Sequence, residues 1–184
     1  MILLLNGASS VGKTSTAKAI QDISNLTFLH VEMDAFLNMA PSRLEGQIEG
    51  LQYKYINGIG EPPEVEIITG GFIQQTLRAM RRAIASMADE GLDLIIDEVM
   101  LDHETEADYR RLLERHDLRM IGLKASLGYI EAREAERGDR LVGLARAQFH
   151  KVHKGRHYDL VLDTDAASPQ DLAERICSAF QLKN

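Results

Sequence analysis

The first fourteen residues constrain the fold of this chain more than any other stretch. An apolar run, Met1-Ile2-Leu3-Leu4-Leu5, opens directly into Asn6-Gly7-Ala8-Ser9-Ser10-Val11-Gly12-Lys13-Thr14. Such a run reads as a buried strand, and the pattern from Thr14 to Ile23 reads as a helix, so the stretch is a strand, a loop and a helix in that order. Within it Gly7, Gly12, Lys13 and Thr14 satisfy G-x-x-x-x-G-K-[ST], a loop whose backbone N–H groups wrap a phosphate chain. The helix start adds unpaired N–H groups and the positive end of the helix dipole. The candidate nucleotide contacts are therefore Gly7, Ala8, Ser9, Ser10, Val11, Gly12, Lys13, Thr14 and Ser15. Lys13 is placed to reach the β- and γ-phosphates, and the Thr14 hydroxyl to ligate Mg²⁺.

Length and charge narrow the class. At 184 residues and 45% hydrophobic, the chain reads as one domain, residues 1–184, able to bury a core without metal or disulfide support. Its single cysteine, Cys177, falls among apolar residues of the final helix and suits a reducing cytoplasm. The first apolar run lacks a basic flank and reads as a strand, not a signal peptide, and no later run is long enough to span a bilayer. A net charge of -7 argues against a nucleic-acid partner and favours a small molecule.

Acids follow the strands. Thr27 to Val31 reads as a second strand ending in Glu32-Met33-Asp34, and Leu92 to Val99 as a third carrying Asp97 and Glu98. Ligands of parallel sheets gather beyond strand C-termini, so Asp34 is a candidate catalytic carboxylate; its ordinary alternative is an N-cap for residues 35–39. Asp97, with Glu98 second, is the expected Mg²⁺ carboxylate opposite Thr14; the ordinary alternative is a structural carboxylate bonded to loop backbone. Between these strands, Pro41 to Pro63 loses periodicity and reads as a loop or cap, with residues 35–70 as the acceptor side. Tyr53, Tyr55 and Ile59 there either line a pocket or pack locally. A helix from Phe72 to Asp89 buries Phe72, Ile73, Leu77, Met80, Ile84 and Met87 and leaves Arg78, Arg81 and Arg82 solvated.

Thr105-Glu106-Ala107-Asp108 reads as a capping box opening a helix to Arg115. After a strand at Leu118 to Leu123 and a helix from Gly128, Arg133-Glu134-Ala135-Glu136-Arg137-Gly138-Asp139-Arg140 supplies permanently charged, bidentate donors. Alone it would read as an ordinary salt-bridged helix end; beside the phosphate loop it reads as an arginine lid, residues 133–146, with Arg137 and Arg140 the candidate catalytic residues and Arg133 the candidate nucleotide contact. His150, His153 and His157 have poor spacing for a metal site. Tyr158 to Asp163 is the fifth strand, residues 164–167 its exit loop toward a nucleotide base, and Ser168-Pro169 opens the last helix.

These stretches together resemble the chloramphenicol phosphotransferase family of small P-loop kinases over nearly the whole length. The carriers are residues 6–14, Asp34 with Met39 and Pro41, Ile95-Ile96-Asp97-Glu98-Val99, Arg133-Glu134 with Arg137-Gly138-Asp139-Arg140, and Tyr158-Asp159 with Asp163-Thr164. The resemblance implies a three-layer α/β P-loop fold with a five-stranded parallel sheet flanked by helices. It also implies ATP-dependent phosphorylation of a small-molecule hydroxyl, as in antibiotic resistance, with Asp34 taking the hydroxyl proton and Arg137 and Arg140 in the lid. A nucleoside, a sugar nucleotide as in zeta-type toxin kinases, or a metabolite are the other acceptors, and a nucleotide-binding switch with slow hydrolysis is the reading from another class.

Overall fold

The computed structural model describes residues 1–138 and 141–183. In chain order its elements are β1 (Ile2–Asn6), α1 (Lys13–Ile23), β2 (Phe28–Glu32), α2 (Met33–Leu37), β3 (Leu51–Tyr55), β4 (Val65–Thr69) and α3 (Gly71–Asp89). There follow β5 (Asp93–Glu98), α4 (His103–Leu112), β6 (Leu118–Lys124), α5 (Leu127–Arg137), α6 (Leu144–Phe149), β7 (Leu160–Asp163) and α7 (Pro169–Ala179). The main sheet has the order β2-β5-β1-β6-β7, with all pairings parallel. It is the five-stranded, helix-flanked sheet expected from the sequence.

The unbroken apolar run of β1 follows from its central place, because both faces of the sheet are covered. Leu3 and Leu5 pack with Ile20 of α1 and Ile176 of α7 on one face. Ile2 and Leu4 pack with Met80 and Ile84 of α3 and Tyr109 of α4 on the other. From β1 the chain crosses to β2 at one edge, and after β5 it passes β1 to reach β6 on the opposite side. β1 is thus the switch point of the topology, where a crevice opens beyond the strand ends.

Several local expectations are corrected. Residues 41–63 are not merely irregular: β3 and β4 form an antiparallel hairpin in which Tyr53 faces Ile67 across the ladder. Helix α3 buries Ile73, Met80 and Ile84, but Phe72 stays 43% exposed. Arg81 is not solvated, since its Nε donates to Asp108 at 2.6 Å and its guanidinium lies over the Tyr109 ring. Helix α4 starts before the proposed box, with Asp102 accepting the Thr105 N–H at 2.7 Å. The opening of α7 does carry a capping box, Ser168 with Asp171, and Cys177 is buried in the core.

Candidate active site

The loop leaving β1 is shaped by close approach. A Cβ on Gly7 would stand 2.6 Å from the Leu123 carbonyl oxygen, so only hydrogen fits there. Gly12 adopts φ +104°, a left-handed conformation that favours glycine, and a Cβ on it would meet the Arg133 guanidinium at 3.2 Å. Ala8 and Val11 turn their side chains into the core, so only their backbone is left for a ligand. Lys13 Nζ donates to the Gly7 carbonyl at 3.0 Å and to that of Ala8 at 3.1 Å, and lies 3.8 Å from Asp97 Oδ1.

Strand register brings the acids together. Asp97 lies beside Leu5 on β1 and beside Glu32 on β2, at the C-terminal ends of three adjacent strands. The Thr14 hydroxyl donates to Asp97 Oδ2 at 2.6 Å. Burial works to raise the Asp97 pKa, but the Lys13 charge, His30 and the Thr14 hydroxyl override it and hold the carboxyl below its usual range. Glu98 faces the other way, accepting from the Tyr109 hydroxyl at 2.9 Å and from the Val99 N–H at 3.0 Å. Its burial pushes that carboxyl up, so the second acid of the pair is a structural strut.

One cleft, open to solvent, is lined by Ser9, Lys13 and Thr14 of the loop together with Asp34, Asp97 and Arg137. Asp34 is the second residue of α2 and not its cap, because β2 turns into helix at Met33. Glu32 lines the same cleft. Arg133 sits behind Gly12, with Nη1 3.4 Å from the Tyr129 hydroxyl. Ser15 is exposed and does not join the cleft. Arg140 lies outside the described residues.

Three contributors were missed in the sequence. His30 on β2 has a side chain only 7% exposed, with Nε2 3.8 Å from Asp97 Oδ2 and Nδ1 3.5 Å from Glu32 Oε1. Glu134 on α5 accepts the N–H groups of Gly143 and Ala145 at 2.7 and 2.8 Å, satisfying the start of α6. Gln148 on α6 lines the cleft and accepts the Ser9 N–H at 2.7 Å. Polar residues at these spacings carry no local signal, although Glu134 stands inside the arginine stretch. His153 serves the fold: Nδ1 is 2.8 Å from the Tyr158 hydroxyl and Nε2 is 3.1 Å from the Leu123 carbonyl.

A phosphate loop at the switch point of a parallel sheet, with a buried carboxylate from the neighbouring strand against its threonine, is the apparatus of a P-loop kinase, a phosphotransferase. The chain belongs to the chloramphenicol phosphotransferase-like protein family, whose model matches residues 1–181. Two curated Mycobacterium tuberculosis proteins, from strains CDC 1551 / Oshkosh and ATCC 25618 / H37Rv, bear names that provisionally assign them as O-phosphotransferases. Each is 32% identical over 184 residues, covering 98% of this chain and 82% of the relative. The fold is similar to an unliganded sugar kinase from Janibacter sp. HTCC2649 at TM-score 0.69, with 21% identity, 98% of this chain and 94% of that one covered. It is also similar to a gluconokinase from Sinorhizobium meliloti 1021, at TM-score 0.67, 17% identity and coverage of 98% and 90%. The Mycobacterium tuberculosis APS kinase CysC, solved with AMPPNP and APS, follows at TM-score 0.64, 16% identity and coverage of 98% and 96%.

Proposed function

We propose that this protein transfers the γ-phosphoryl group of ATP to a hydroxyl of a small molecule. The supporting observation is the convergence of the loop lysine, Asp34 and Arg137 on one cleft. In this reading the loop N–H groups and Lys13 hold the phosphates, and Asp34 accepts the proton of the acceptor hydroxyl as its oxygen bonds to the γ-phosphorus and ADP departs. Arg137 and Arg140 offset the charge that spreads over the transferring group, and Arg133 steadies the loop from behind. The Thr14 hydroxyl and Asp97 carboxylate suit Mg²⁺, which takes few protein oxygens, since these two hard oxygens meet at 2.6 Å and the carboxyl is kept ionised. When bound, the ion would neutralise phosphate charge.

The whole chain acts as one domain in this reading, in a cytoplasmic setting, with residues 35–70 on the acceptor side and 133–146 as the lid. A second cavity beside the cleft supports that division. Leu37 borders both cavities, and the facing pair Tyr53 and Ile67 contributes one residue to each. An acceptor with its hydroxyl at Asp34 would extend past Leu37 under the hairpin. Chloramphenicol, suggested by the family, is the first acceptor to try.

The test is mass spectrometry of chloramphenicol, then of other small alcohols, sugars and nucleosides, after incubation with Mg-ATP and protein, beside Asp34→Asn. A phosphate-sized mass gain on one acceptor, lost in the variant, is the expected result. Hydrolysis of ATP with no acceptor phosphorylated, and no change in Asp34→Asn, would overturn the reading.

A further inference from the structure

One contact of the loop has no part in the chemistry above. The Ser9 N–H donates to Gln148 Oε1 at 2.7 Å, joining groups 139 residues apart. Ser9 belongs to a loop that offers N–H groups to phosphate, and a part-buried N–H needs an acceptor whether phosphate is there or not. Because the donor is main chain, the Gln148 amide must present its oxygen, which leaves its NH₂ group directed elsewhere. Gln148 lines the cleft that holds Asp34 and Arg137.

We propose that Gln148 is a binding residue for the terminal phosphate of the nucleotide. In this structure its oxygen serves Ser9. When a γ-phosphate oxygen takes over the Ser9 N–H, the amide Nε2 of Gln148 donates to that phosphate. A charged acceptor outcompetes a neutral amide for the same N–H, which makes the exchange favourable. Ser9 precedes the helix-start residues Gly12, Lys13 and Thr14 in the loop, so a phosphate chain seated on α1 and running toward Asp34 brings its last phosphate to Ser9. Glutamine suits both states, because one amide carries an acceptor and two donors; a glutamate would accept from Ser9 and repel phosphate.

The support beneath Gln148 points the same way. Its helix, α6, is fixed at the N-terminus by the two N–H groups that Glu134 accepts, and Glu134 lies on α5 one turn before Arg137. The proposed phosphate ligand and the cleft arginine therefore share one buried anchor.

This inference rests on the loop being an ATP site, and calorimetry on the full chain separates the two claims. AMPPNP and ADP are titrated into the wild type, Gln148→Glu and Gln148→Leu. Gln148→Glu is expected to bind AMPPNP at least about tenfold more weakly with ADP affinity kept within about twofold, and Gln148→Leu to fall between. Equal losses for both nucleotides, or no loss, overturn the role of Gln148 and leave the loop standing; a wild type that binds neither overturns both. Should the variants not fold, nitrogen-15 spectra of the wild type decide. The Gln148 side-chain NH₂ signals are expected to move with AMPPNP and not with ADP, and signals indifferent to AMPPNP overturn the proposal.

Discussion

Asp97 is a buried acid at the C-terminal ends of three adjacent strands, facing the loop lysine and threonine. Its side chain is 10% exposed, yet Lys13, His30 and Thr14 hold its pKa below the usual range, so the cost of burying the charge is offset by its own neighbours. Replacing Asp97 with Asn keeps the shape and an acceptor for the Thr14 hydroxyl but removes the charge opposite Lys13. The expected result is a turnover loss of about a hundredfold, near 3 kcal/mol of barrier, with the Mg²⁺ concentration for half-maximal rate moved upward. Steady-state kinetics over a magnesium series provides the check. An unchanged midpoint would remove Asp97 from metal binding and leave it a structural partner of Lys13.

At the scale of elements, the second half of the site hangs on Glu134. That buried carboxylate takes both N–H groups that open α6, and α6 carries Leu144 and Gln148 into the cleft. The Gly143 carbonyl in turn accepts from Val65 at the start of β4, so the hairpin docks on the same helix start. Glu134→Ala leaves two buried N–H groups unmet, at about 1 to 3 kcal/mol each. Urea denaturation should register that loss, and limited proteolysis should show faster cleavage within α6, Leu144–Phe149, than in the wild type. Wild-type stability in the variant would mean that α6 is held by packing alone. The sequence made the loop, the sheet strands and the acids legible because each is a local pattern: an apolar run, fixed glycine spacing, carboxylates at a strand end. The hairpin escaped because Gly50, Gly58, Gly60, Pro62 and Pro63 surround two short strands that stand outside the main sheet. Glu134, Gln148 and His30 escaped because their partners, the N–H groups opening α6, a loop N–H and an acid on another strand, are set by tertiary packing rather than by a local pattern.

The whole molecule carries a pH dependence that sits apart from the cleft carboxylates. Asn6 at the end of β1 donates to the Tyr158 hydroxyl at 2.7 Å and accepts the Met100 N–H at 2.8 Å, and Tyr158 in turn meets His153. This polar knot ties three parts of the fold: the phosphate-loop strand, the exit of β5 and the approach to β7. Burial, reinforced by the Lys124 charge, lowers the His153 pKa from 6.5 to about 4. The Leu123 carbonyl requires a proton on Nε2, so Nδ1 of the neutral ring is the acceptor for Tyr158. A folded-state pKa below the unfolded one means that the unfolded chain binds the proton more readily. The stability tied to neutral His153 is therefore complete above about pH 6.5 and drains away as pH falls toward 4. Allowing for solvent screening of a ring only partly buried, the loss is about 1 to 2 kcal/mol. Asp97 and Asp108, with lowered pKa values, lose their contributions at still lower pH, below the usual carboxylate range. Urea midpoints measured from pH 7 to 4 should fall in the wild type, while His153→Gln, which keeps a donor for Leu123 and an acceptor for Tyr158, should flatten that segment. A slope that persists in the variant would assign the proton to another group and leave the knot a structural tie insensitive to pH.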